Sequence, residues 1–270
     1  MSDVDPRAAG PRRHTVLELD ATRLPPAVAP TVVLGAAVVT AGAYLGYAAL
    51  VAVLALAGLV LVAGWPRLLD VPSPTGVRVV VAVGAALQAA AMWLTAGPAR
   101  LAWMPLALAI GVVGVLLQQL GRSGGGGRVT AAVAASASAL VVLASGLAMA
   151  PLADTPSGPR FVLVAMAGLA AGAVAELSGR HRRVRGAAVL VVLVVGALGS
   201  WLAAVALGGP VKALTAVGLG MLVASLSYSM RHVLGTLGGR EAPWGQAALV
   251  SASILLPGVC VLALGRMAGV

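Results

Sequence analysis

From Leu24 to Pro66 the chain runs 43 residues without an Asp, Glu, Lys or Arg. As one helix this run would extend about 64 Å, roughly twice the ~30 Å hydrocarbon core of a bilayer, so it has to cross lipid twice. Over the 270 residues, 60% are hydrophobic and only 10% charged, against roughly 25% charged in a soluble domain. A soluble globule is excluded. The chain reads as an all-α, polytopic integral membrane helix bundle.

Apolar runs parted by charged or Gly/Pro-rich breaks place nine spans at 30–46, 47–66, 77–96, 99–120, 129–151, 160–178, 186–208, 210–230 and 245–266. Between the first two spans the only break signals are Gly42, Gly46 and the pair Tyr44/Tyr47. Charge settles that division. Of the 18 basic residues 17 are Arg, Lys212 being the single lysine, and loop cations orient membrane helices. Nine spans with residues 1–29 as a cytoplasmic tail put 14 of the 18 inside, Arg67, Arg78 and Arg231 among them, and only Arg100, Arg160, Lys212 and Arg266 outside. Fusing the first two spans would set the basic tail opposite every other basic loop. The aromatics read as interfacial belts, Trp65, Tyr228 and Trp244 at inner ends and Tyr44, Tyr47, Trp93, Trp103 and Phe161 at outer ends. The expected location is a bacterial cytoplasmic membrane.

At an offset of 112 residues, 78–128 matches 190–240 at 11 of 51 positions, including Gly97-Pro98 on Gly209-Pro210 and Gly126-Gly127-Arg128 on Gly238-Gly239-Arg240. This is roughly twice the chance level for such a composition. It reads as a duplication of four helices, 47–151 and 160–266, with the first span left over. An even number of helices gives both copies the same orientation, related by an axis along the membrane normal.

The chemistry is sparse. Glu176, near the inner end of span six, follows Gly168 and Gly172 at steps of four, so it either contacts an ion or polar solute at a tight seam or pairs with Arg180 as an interfacial salt bridge. The stripes Gly196, Ser200, Ala204 and Ala216, Gly220, Ala224 read as packing faces. Gln88, whose counterpart at the repeat offset is Ser200, needs a partner in hydrocarbon, and the two are candidate polar residues on the seam between halves. Gly-Pro turns precede Arg100 and Lys212, a cation at the same step of both, which suggests an outward anion or lipid-headgroup site. Arg180, Arg182, Arg183 and Arg185 form a basic loop suited to anionic lipid surfaces or to topology anchoring alone.

Cys260 reads as an apolar filler, and neither paired carboxylates nor a nucleophile with a base are evident. No enzymatic activity, cofactor, metal or nucleic-acid partner is expected. The expected partners are membrane lipids, and other membrane proteins or a second copy. Two functions follow: permease- or exporter-like handling of a small or lipidic solute, or a non-catalytic scaffold of the cell envelope.

Overall fold

The computed structural model describes residues 27–71, 74–95, 100–120, 126–177, 187–208, 211–235 and 242–270, with the backbone alone at 126–128. The N-terminal tail, both Gly-Pro turns and the 180–185 loop lie outside the described residues. Every regular element described is helical: α1 Val28–Leu45, α2 Tyr47–Leu68, α3 Pro74–Leu94, α4 Met104–Leu120, α5 Gly126–Ala148, a 3-10 turn Ala150–Asp154, α6 Gly158–Glu176, α7 Ala188–Ala206, α8 Ala213–Gly235, α9 Pro243–Leu255 and α10 Gly258–Met267.

Eight segments are long and apolar enough to cross a membrane, with α5 and the 3-10 turn counted together and α9 with α10. The shorter α4, 17 residues, rises about 25 Å. It nevertheless traverses beside α3. A Cβ on Gly111 would lie 3.7 Å from the Gly84 Cα, and one on Gly114 4.0 Å from Val80 Cγ1. Rising numbers on α4 thus meet falling numbers on α3, and the pair is antiparallel.

The helix ends confirm the alternation. Arg100 follows α3, Asp154 follows α5, and their side chains meet at 2.9 Å. The Arg100 guanidinium carbon sits 3.4 Å from the ring centroid of Tyr47, the first residue of α2, and Arg266 near the end of α10 lines one cavity together with Arg100 and Asp154. One end of the bundle therefore gathers the α1–α2, α3–α4 and α5–α6 junctions. At the opposite end Gly64 of α2 is pressed against the Trp244 carbonyl of α9, and Glu176 of α6 meets Arg231 of α8. Among the described residues the chain makes nine traverses, and the first apolar run divides at Gly46, whose φ of 105° favours glycine.

The core is built from α1, α2, α5, α6 and α9, with Trp65, Phe161, Leu50, Leu54 and Leu61 among its fully buried side chains. Trp65 and Phe161 thus depart from the interfacial-belt expectation. The Trp65 indole donates to the Ala135 carbonyl of α5 at 2.8 Å, which satisfies its N–H inside the bundle rather than at the headgroups. Tyr44, Trp93, Trp103 and Trp244 are exposed as expected.

Small residues set the closest approaches, as the stripes of the sequence indicate. A Cβ on Gly168 would stand 2.9 Å from the Gly220 Cα and 3.1 Å from the Gly196 carbonyl, so glycines of α6, α7 and α8 meet in one layer. With no hydrophobic drive between helices in lipid, this backbone proximity supplies the van der Waals attraction. At the offset of 112 residues the limits of α3 and α7 agree within two residues, whereas α8 begins three residues before and ends three residues after the shifted α4, and the packing of the two halves differs. The triad α6, α7, α8 closes on itself, whereas α2 packs chiefly on α9 while α3, α4 and α5 form their own triad.

The last traverse breaks at Leu256-Pro257, where proline cannot donate to the helical ladder. Ser145 of α5 repairs the break: its hydroxyl donates to the Leu256 carbonyl at 2.5 Å and accepts from the Val259 N–H at 3.1 Å. Ser145→Ala leaves both groups unpaired in an apolar setting and is expected to lower stability by about 1–2 kcal/mol, read as a fall in Tm of the purified protein.

Candidate functional site

At the end that gathers the three junctions, a cavity of about 240 Å³ opens between the segment leading into α4, the 3-10 turn and α10. Arg100, Asp154 and Arg266 supply its charge, and Leu101, Pro151 and Leu262 supply apolar wall. The side chains that line it bring two guanidiniums and one carboxylate, one positive side-chain charge in excess.

Arg100 is held from three sides. Its Nε lies 2.9 Å from Asp154 Oδ2, yet that N–H is not aimed at the oxygen and makes no hydrogen bond. The contact is an ion pair without directional bonding. Beneath it the Tyr47 ring offers its π face, and the Tyr47 hydroxyl is anchored to the Met92 carbonyl at 2.7 Å. The Thr95 hydroxyl sits between the carbonyls of Ala91 and Arg100, at 2.7 and 3.0 Å, and ties the end of α3 to the lead-in of α4. The Arg100 side chain is 19% exposed and that of Asp154 40%. Arg266, on the last turn of α10, is exposed. Arg100 is thus a rigid, preorganised cation and Arg266 a free one. A monoanion with a short apolar portion fits such a lining by charge, because it would neutralise the excess guanidinium.

Lys212, paired with Arg100 in the sequence, stands exposed immediately before α8 and does not line this cavity. The helix starts explain the difference. Pro105 sets α4 four residues beyond Arg100, whereas α8 begins directly after Lys212. Arg266 and Asp154 were not singled out from the sequence as partners of Arg100. They come from segments more than 50 residues away, and no local spacing links them.

Gln88 and Ser200 are fully buried but do not share a partner. Gln88 Nε2 donates to the Leu140 carbonyl of α5 at 3.2 Å, and Ser200 donates to the Val164 carbonyl of α6 at 2.8 Å. The Gln88 amide N–H and the Ser200 hydroxyl are each used within their own triad, Gln88 Oε1 is buried without a partner, and neither residue lines the described cavity.

Glu176 is engaged by a residue expected in an inner loop. Helix α8 continues to Gly235, which draws Arg231 into the bundle with its side chain at 0% exposure. Arg231 Nε donates to Glu176 Oε2 at 2.8 Å, and its Nη1 to the Ser227 hydroxyl one turn earlier. Arg180, the partner anticipated for Glu176, falls outside the described residues. Next to the pair Tyr228 stacks on His232, with centroids 5.6 Å apart. Among the described residues there is no group of three or more His, Cys, Asp or Glu placed to hold a metal ion.

Comparisons of the chain with protein-family models, with curated proteins and with solved structures find no match.

Proposed function

We propose that this membrane protein receives a small or lipidic solute bearing one negative charge at the Arg100–Arg266 cavity, in the manner of a permease or exporter. One observation carries the reading: three helix junctions and the end of α10 converge to place two arginines and one aspartate around an open cavity that also has apolar walls. The positive-inside tendency puts this end outside a bacterial cytoplasmic membrane and the N-terminus inside. The close match of α3 and α7 at the repeat offset keeps an ancestral four-helix duplication in the reading, with two copies that differ in packing and in the limits of α4 and α8.

A second reading, a non-catalytic envelope scaffold, is favoured by the glycine layer of α6–α8 and by Gln88 and Ser200 serving internal packing. The two readings part on ligand response. Thermal-shift measurements of the purified protein with short-chain carboxylates and phosphate monoesters should show a rise in Tm, since a ligand stabilises the folded state by mass action. Arg266→Gln, which removes an exposed cation that has no ion-pair partner among the described residues, should abolish the rise without lowering the ligand-free Tm. Arg100→Gln should abolish it and lower the ligand-free Tm as well, because Asp154 and Tyr47 lose their partner. The absence of any shift in the parent protein would favour the scaffold.

A further inference from the structure

The acceptors in the Arg100–Arg266 cavity are as telling as its cations. The Asp154 carboxylate stands 2.9 Å from Arg100 with its side chain 40% exposed, and among the described residues no hydrogen bond reaches it. Thr155, next in the chain, lines the same cavity. Its hydroxyl gives its proton to the Leu152 carbonyl at 2.9 Å, so toward a ligand that oxygen can only accept. Two acceptors, one of them ionised, thus share a cavity with two guanidiniums.

That mixture constrains the ligand. Because Arg100 and Asp154 are in direct contact, an anionic group that pairs with the Arg100 guanidinium cannot stand clear of the carboxylate. A ligand with no donor to offer would strip water from Asp154 and leave it unpaired beside a like charge, which is costly. A ligand that carries a hydroxyl on the carbon next to its anionic group avoids the conflict. Its two polar groups then lie side by side, as the guanidinium and the carboxylate do in the protein.

We propose that the solute is a 2-hydroxy carboxylate with a short apolar tail. The inference rests on the cavity being the solute site proposed above. The ligand carboxylate pairs with Arg100 and Arg266, its hydroxyl donates to Asp154 with Thr155 as the neighbouring acceptor, and its tail lies against Leu101, Pro151 and Leu262. Asp154 is therefore a specificity-determining residue. It opposes simple carboxylates and admits those that bring a donor, since a site built to bond a hydroxyl rejects the analogue without it. A 2-amino acid also brings a donor, but its net charge is zero and it leaves the excess positive side-chain charge uncompensated.

The test titrates the full chain in detergent with hexanoate, 2-hydroxyhexanoate and 2-aminohexanoate, with Tm and isothermal titration calorimetry as readouts. 2-Hydroxyhexanoate should bind about tenfold more tightly than hexanoate, the scale of one hydrogen bond to a charged group, and more tightly than 2-aminohexanoate. Asp154→Ala should bring the hydroxy-acid preference to about one by weakening 2-hydroxyhexanoate while hexanoate binds as before or more tightly; a merely structural role would weaken both alike. Asp154→Asn keeps the shape and loses the charge, so it should tighten hexanoate and narrow the preference, which supplies the same readout if Asp154→Ala folds poorly. Equal binding of hexanoate and 2-hydroxyhexanoate in the parent, a preference unchanged in both variants, or 2-aminohexanoate binding most tightly would overturn the proposal while leaving the cavity as an anion site. Binding of none of the three would overturn the cavity reading itself.

Discussion

Glu176→Leu should destabilise the protein by roughly 3–5 kcal/mol, because it strands the Arg231 guanidinium, fully buried between α6 and α8, without its counter-charge. Arg231→Met should cost less, about 1–3 kcal/mol. The Glu176 side chain is 18% exposed, and at the last residue of α6 it can turn toward the interface. The double variant Glu176→Leu/Arg231→Met removes both charges and should recover most of the loss or exceed the parent, since desolvation of the pair offsets its attraction. Equilibrium unfolding of the four proteins forms a double-mutant cycle. A double variant as unstable as the sum of the singles would mean that the pair is not coupled as described.

The second large effect concerns the glycine layer. Gly220→Val places a Cβ against the Gly196 carbonyl and 2.6 Å from the Ser200 hydroxyl. Overpacking of a core by added methyl groups typically costs about 1–3 kcal/mol when side chains can give way. Here the obstacle is backbone of α7, which is itself wedged against Gly168 and Ala224, so the cost should reach the upper part of that range or exceed it. Gly218→Val, two residues earlier on the same helix with nothing within 4 Å of its Cβ, should be close to neutral. The contrast, read as Tm, isolates packing from the helix propensity both substitutions change. Equal effects at the two positions would contradict the three-helix contact.

These two sites show what was readable in the sequence. The glycine layer was legible because Gly168, Gly172, Gly196, Ser200, Gly220 and Ala224 repeat at helical spacing, and small residues in lipid-spanning helices have few uses besides close packing. The ion pair was not legible. Arg231 follows an apolar run that ends at residue 230, and charge counting assigns any such arginine to the adjacent loop. Only the continuation of α8 to Gly235, aided by Ser227 as an internal partner, carries it inside.

The first apolar run was divided correctly because the positive-inside count penalised fusion and Gly46 could supply the turn. The cavity was half legible. Arg100 stood out as one of four outside cations, but its companions Asp154 and Arg266 arrive through tertiary convergence of separate traverses. The break at Pro257 was missed because the flanking residues are apolar on both sides, and its repair depends on Ser145, more than 100 residues earlier. Trp65 and Phe161 were misplaced at interfaces because their position near span ends says nothing of which side of the helix they occupy.

The central claim is that nine alternating traverses bring Arg100, Asp154 and Arg266 together on the outer side of the membrane and leave Arg67 and Arg78 on the inner side. Single cysteines at positions 160, 266 and 67, introduced into a Cys260→Ser background, test it through labelling with a membrane-impermeant maleimide in intact cells and after permeabilisation. Labelling of positions 160 and 266 in intact cells, with position 67 reactive only after permeabilisation, is the predicted result. Labelling of position 67 in intact cells, or positions 160 and 266 reacting from opposite sides, would contradict it.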